Sequence, residues 1–115
     1  MQYLLLIYGV ESQWLGQTEP EKQKIYQRYR DLIQDLQKTG NHRGGHELQP
    51  ISSATTVRVR GGKKLVTDGP FAETKEQLGG YFLVEAKDLD EALAIAARIP
   101  SVENGSIEVR PVVER

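Results

Sequence analysis

Tyr3-Leu4-Leu5-Leu6-Ile7-Tyr8 and Tyr81-Phe82-Leu83-Val84 are the stretches whose reading decides the fold. Each is apolar at consecutive positions instead of alternate ones, so each predicts a strand that needs cover on both faces. Neither run is long enough to span a bilayer, and the first lacks the basic start of a signal peptide. Gly9 ends the first run, and a loop carrying Trp14 is expected after it.

Between the two runs lies a strongly signalled helix. Thr18 and Glu21 form a capping box, Pro20 sits in the first turn, and Gly40 supplies the stop. Ile25, Tyr29, Leu32 and Leu36 recur at helical spacing, with Tyr26 and Ile33 widening the stripe. Asn41 to Pro50, with its Gly44-Gly45 pair, predicts a short strand near Glu47 and Leu48. Thr55 to Arg60 alternates, which predicts one buried and one wet face. Gly61-Gly62 then turns the chain into Lys64-Leu65-Val66 as a hairpin. After the second apolar run, Asp88 and Glu91 read as another capping box for a helix through Leu89, Ala92, Leu93 and Ala96, ended by Pro100. Ser106 to Val112 makes the last strand, at an edge because of Pro111.

The order is strand, helix, strand with an inserted hairpin, strand, helix, strand. That is the α+β, ferredoxin-like split βαβ pattern, with both apolar runs on central strands and both helices on one face. The uncovered second face calls for another copy, sheet against sheet, in a homodimeric α+β barrel.

The chain has 115 residues and reads as one domain, 1–115, large enough to bury a core without staples. It has no cysteine, which excludes a disulfide framework, a thiolate metal site and a cysteine nucleophile. With 15 basic against 16 acidic residues the net charge is -1, so no nucleic-acid partner is expected. Arg58, Arg60, Lys63 and Lys64 on the hairpin read as a solvated face. No membrane partner is expected, and the cytoplasm is the expected compartment.

Asp68-Gly69-Pro70-Phe71-Ala72-Glu73-Thr74-Lys75-Glu76 is the stretch that looks built for a task. Gly69-Pro70 forces a turn, and Pro70 can open a helical turn that places Glu73 and Glu76 on one face. Asp68, Glu73, Lys75 and Glu76 are the candidate acid/base set, with His46, Arg58, Phe71 and Tyr81 as candidate ligand-binding neighbours. The plainer alternative is a capped surface turn whose charges are solvated. His42 and His46 can be joined to Asp68 or Glu73 as a mixed nitrogen–oxygen metal site, or be exposed loop histidines. Neither a metal nor a cofactor is assigned.

The run Asp68 to Glu76, continued by Gln77-Leu78-Gly79-Gly80-Tyr81 and Asp88-Leu89-Asp90-Glu91-Ala92, resembles the DGPF (DGPFAETKE) family of the YCII-related superfamily. Leu48-Gln49-Pro50, Thr55 to Arg60 and Val109-Arg110-Pro111-Val112 carry it along the chain. The resemblance implies a dimeric ferredoxin-like α+β barrel from a bacterial cytoplasm, of uncharacterised activity. Genes of that family often lie beside extracytoplasmic-function sigma factors. Some members of the broader superfamily pair a helix histidine with an aspartate; that helix position holds Tyr29 here, which speaks against a His–Asp mechanism. Where many members carry a carboxylate after the Gly-Gly pair, this chain has His46, with Glu47 next.

Two functions follow from different classes. One is a small-molecule site, binding or enzymatic, around the Asp68–Glu76 segment in a homodimer. The other is a non-catalytic interaction module in a sigma-factor circuit, with that segment as a docking loop. A haem or oxygenase role is a third, and it requires His42 or His46 to face a large apolar cavity.

Overall fold

Leu5, Leu36, Val84 and Ile99 are the largest side chains fully removed from water, and they name the layers that meet in the core. The computed structural model describes residues 1–115. Six strands and three helices run β1 (Gln2–Gly9), α1 (Glu11–Leu15), α2 (Glu19–Thr39), β2 (His42–Glu47), β3 (Thr55–Arg60), β4 (Lys63–Asp68), β5 (Gln77–Glu85), α3 (Leu89–Ala96) and β6 (Ser106–Pro111). The main sheet has the order β2-β5-β1-β6, antiparallel throughout, and β3 with β4 forms a separate two-stranded sheet. This is the ferredoxin-like α+β arrangement, and the two unalternating runs occupy its central strands, β1 and β5. No helix is long and apolar enough to cross a membrane.

One face of the sheet presents Tyr3, Leu5, Phe82 and Val84 to Leu32 and Leu36 of α2 and to Ala92, Ile95 and Ala96 of α3. Cross-strand pairs Leu4↔Leu83 and Leu6↔Tyr81 lie on the other face. No long helix covers them; Leu4, Leu6, Tyr81 and Leu83 shelter one another and are half-buried.

α2 is capped as its sequence requires. The Thr18 hydroxyl accepts from the Glu21 N–H at 3.3 Å, and Glu21 accepts from the Thr18 N–H at 3.3 Å. Gly40 ends it at φ 81°, in the left-handed region where glycine carries no Cβ penalty. Gly61 and Gly62, at φ 56° and 77°, make the hairpin turn.

Several local expectations are corrected. Helix α1 replaces the expected loop: its first N–H, that of Glu11, is bonded by the Gln77 side chain at 2.9 Å, a cap supplied from β5. β2 begins at His42 and ends at Glu47, before Leu48. Residues 70–76 form bends and no helical turn. Their carbonyls go to side chains instead: Arg58 donates to Phe71 O, Thr74 to Glu76 O, and Gln77 to Thr74 O. Glu73 and Glu76 therefore share no helix face. At α3 only half of the capping box forms. Asp88 accepts from the Glu91 N–H at 2.9 Å, while the Glu91 carboxylate takes Asn41 Nδ2 at 3.1 Å and the Lys87 N–H at 3.3 Å. α3 ends at Ala96, and Pro100 opens a short 3-10 turn. The alternation in β3 buries no apolar face within one chain, since the arm extends away from the main core and Val57 and Val59 stay 62% and 61% exposed.

Candidate binding cleft

One bulge lies at the open end of the sheet and another toward its far end. The β1–β5 register slips at Ile7/Tyr8, leaving Gly79 without a partner on β1, and its carbonyl accepts instead from the Leu48 N–H at 2.8 Å. The β2–β5 register slips around Arg43. Between the bulges, β2 and β5 leave no room for a side chain at Gly45 or at Gly80. A Cβ on Gly45 would lie 2.7 Å from the Tyr81 carbonyl oxygen, and one on Gly80 would lie 2.8 Å from that of His46. The glycines leave an open floor beneath the first half of α2.

Over that floor is a cleft of about 670 Å³. Ile7, Ile25, Ile33 and Phe82 give it an apolar base, and Trp14, Tyr26, Tyr29 and Glu47 stand around it. Glu47 pairs with Gly80 across the strands, so its side chain shares the helix-facing side. There the Tyr26 hydroxyl donates to both carboxylate oxygens of Glu47, at 3.1 and 3.0 Å. Burial pushes the Tyr26 phenol above its ordinary value, and the bond to Glu47 adds to the shift. Tyr29 lies deeper; its hydroxyl meets Ser101 Oγ at 2.6 Å. Burial raises its pKa as well, with the Ser101 bond acting the other way. The Tyr29 ring also packs edge-on against Phe82, with centroids 6.1 Å apart.

Trp14 and Tyr26 meet edge to face at 5.4 Å, and the Lys22 ammonium lies 5.7 Å from the centre of the Trp14 ring. At the rim Arg28 is paired with Glu103 at 2.9 Å. That bond raises the pKa of Arg28 and lowers that of Glu103. The Gln17 carboxamide oxygen is buried without a hydrogen-bond donor. Glu11 Oε2 accepts from the Ile51 N–H at 3.0 Å, which ties the chain after β2 to α1.

A family model described as the YCII-related domain matches residues 1–115. The chain belongs to the YCII-related family. It is also similar to an uncharacterized protein, R00369, of Rhizobium meliloti (strain 1021). The two are 35% identical over 114 residues, covering 97% of this chain and 92% of the relative.

In this YCII-related chain the residues singled out from the sequence are dispersed. Asp68 closes β4 opposite Thr55, exposed, and neither it nor Glu73 nor Lys75 has a side-chain partner. Glu76 is half-buried and accepts from Ser106 Oγ at 2.8 Å. Arg58 reaches Phe71 O at 3.4 Å, and the Phe71 ring is 78% exposed. His46 and Tyr81 pair across the strands and bond at 2.9 Å on the sheet face opposite the helices. Of the eight candidates only His46 borders the cleft, and its ring turns away from it.

The bulge at Arg43 places His42 and His46 on opposite faces, so the two share no site. The His42 ring packs edge-on against Phe82 at 5.7 Å, with a buried Nδ1 that lacks a partner. No group of three histidine, aspartate or glutamate side chains converges as metal ligands do.

Sequence reasoning named neither Glu47 nor Gln17 for the cleft, and it read Trp14 and Tyr26 as core or interface aromatics, one or two of which line a pocket. Tyr26 was legible as one edge of the α2 stripe, and Glu47 as a strand carboxylate beside His46. Their meeting depends on the angle of α2 over β2, which no spacing within either element reveals.

Proposed function

We propose that this protein is a homodimer that binds a small organic molecule between α1, α2 and the glycine floor. The Tyr26–Glu47 pair would be its reactive or recognition centre. The single observation that carries the reading is the Tyr26 hydroxyl held on both oxygens of Glu47 at the edge of an apolar cleft of about 670 Å³. A phenol and a carboxylate in contact offer a proton donor and a base in one place, the equipment of acid–base chemistry. A concave apolar site with a few convergent polar groups is also the usual form of a small-molecule site.

The homodimer is supported by the sheet face that no long helix covers and by the exposed arm. Asp68, Glu73, Lys75 and Glu76, with Arg58 and Phe71, lie outside the cleft of their own chain. Any role for them in binding runs through a second copy. The DGPF-type segment, the bacterial origin and a cytoplasmic location belong to the same reading, and the Rhizobium meliloti relative agrees with the origin.

A thermal-shift screen against a metabolite library tests the site. Compounds that stabilise the wild type are expected to lose their effect on Tyr26→Phe and Glu47→Gln proteins. If every hit stabilises all three proteins equally, the cleft is not the site.

The interaction-module reading is favoured by a different observation, the apolar hairpin with Val57, Val59, Leu65 and Val66 exposed. A library with no hits, together with an arm that binds a heterologous protein from the same operon, would favour it.

A further inference from the structure

The charges and acceptors around the cleft narrow the class of molecule it suits. Glu47 accepts only from Tyr26, and a carboxylate has about four acceptor positions. The buried oxygen of Gln17 has no donor at all. The cations nearby are engaged elsewhere. Arg28 is held by Glu103, Arg30 is turned to Gln27 at 2.9 Å, and Lys22 lies against Trp14 without lining the cleft. Glu11 adds negative charge to the walls, while the charge of Glu103 is offset by Arg28. The aromatic walls point the same way, since the electron-rich faces of Trp and Tyr attract cations and their flat bodies accept apolar rings.

We propose that the cleft takes an organic cation: a primary amine or amidine head donating to Glu47, on a flat apolar body resting over Ile25, Ile33 and Phe82. This rests on the cleft being a small-molecule site, and it adds the sign of charge and the shape. An anionic ligand would instead meet Glu47 and Glu11, with Arg28 already paired to Glu103 and only Arg30 at the lining without a carboxylate partner.

The test uses three ligands of the same size and different charge: phenethylamine, phenylacetate and phenethyl alcohol. Their binding to the full chain is followed by saturation-transfer NMR and by calorimetry. Phenethylamine is expected to bind the wild type, to weaken about tenfold with Glu47→Gln, and to bind more tightly than the other two, because a hydrogen bond to a charged group is lost. Glu47→Lys, checked for folding by circular dichroism, is expected to reverse the preference toward phenylacetate.

Phenylacetate or the alcohol binding the wild type as tightly as the amine overturns the cation class while leaving the cleft as a site. Amine binding that is indifferent to Glu47→Gln overturns the class equally. Binding of none of the three also overturns it, and the wider metabolite library then decides the fate of the cleft itself.

Discussion

At Tyr26, a phenol that helical spacing reads as the edge of an apolar stripe donates instead to a carboxylate on a strand. Its pKa and that of Tyr29 are raised chiefly by burial. For an acid whose folded pKa lies above its unfolded value, near 10 for tyrosine, the stability contribution is complete below that value. It is lost as pH rises through the folded pKa. Alkaline difference spectra should therefore lose a component that ionises above the free-tyrosine midpoint in both Tyr26→Phe and Tyr29→Phe proteins. A lost component at or below that midpoint would contradict the burial of the two phenols. The floor gives a second prediction. Gly80→Ala places a Cβ 2.8 Å from the His46 carbonyl oxygen, a backbone atom that cannot swing aside. Strain of this kind typically costs about 1–3 kcal/mol, so a clear fall in the urea midpoint is expected. An unchanged midpoint would show that the strands separate easily there.

Among the elements, legibility followed where the chemistry was local. α2 was readable from end to end because its Thr18–Glu21 cap, Pro20, stripe and Gly40 all lie within its own span. Thr18→Ala should lower stability by about 1 kcal/mol in chemical denaturation; no loss would mean that Glu21 or water replaces the cap. α1 was not readable, because Val10 provides no side-chain cap and the bond to the Glu11 N–H comes from Gln77. The strands split in the same way. β1 and β5 declared themselves by unbroken apolar runs. In β2 the bulge at Arg43 decides which histidine faces the helices, and the residue types there do not announce it. The Asp68–Glu76 segment departs from its reading in a related way: Pro70 allows a helical turn, but residues 70–76 form bends whose Phe71, Thr74 and Glu76 carbonyls bond to side chains.

The whole molecule is broad and thin, 48 × 44 × 19 Å, with a radius of gyration of 16.1 Å. A compact chain of this length would have a radius of about 13 Å. The excess accompanies the β3–β4 arm, and a two-stranded hairpin alone is marginal in water. Val57 and Val66 stand opposite each other on one side of it, 62% and 57% exposed. These features account for the homodimer in the proposed function, and light scattering at micromolar concentration should give twice the chain mass. Replacing Val57 and Val66 together by threonine should shift that mass toward a single chain without unfolding the α2 core, as judged by far-ultraviolet dichroism. A wild type that scatters as one chain would remove the homodimer.

The arm also sets a clock on solvent access. Its ladder of backbone bonds runs from Thr55↔Asp68 to Arg60↔Lys63 with no third strand to hold it shut. In dilute deuterated buffer those amides should exchange well ahead of Leu5 and Val84. Raising the protein concentration should slow them if another surface closes over the arm, turning a protruding loop into a gauge of how much of its time the molecule spends in company.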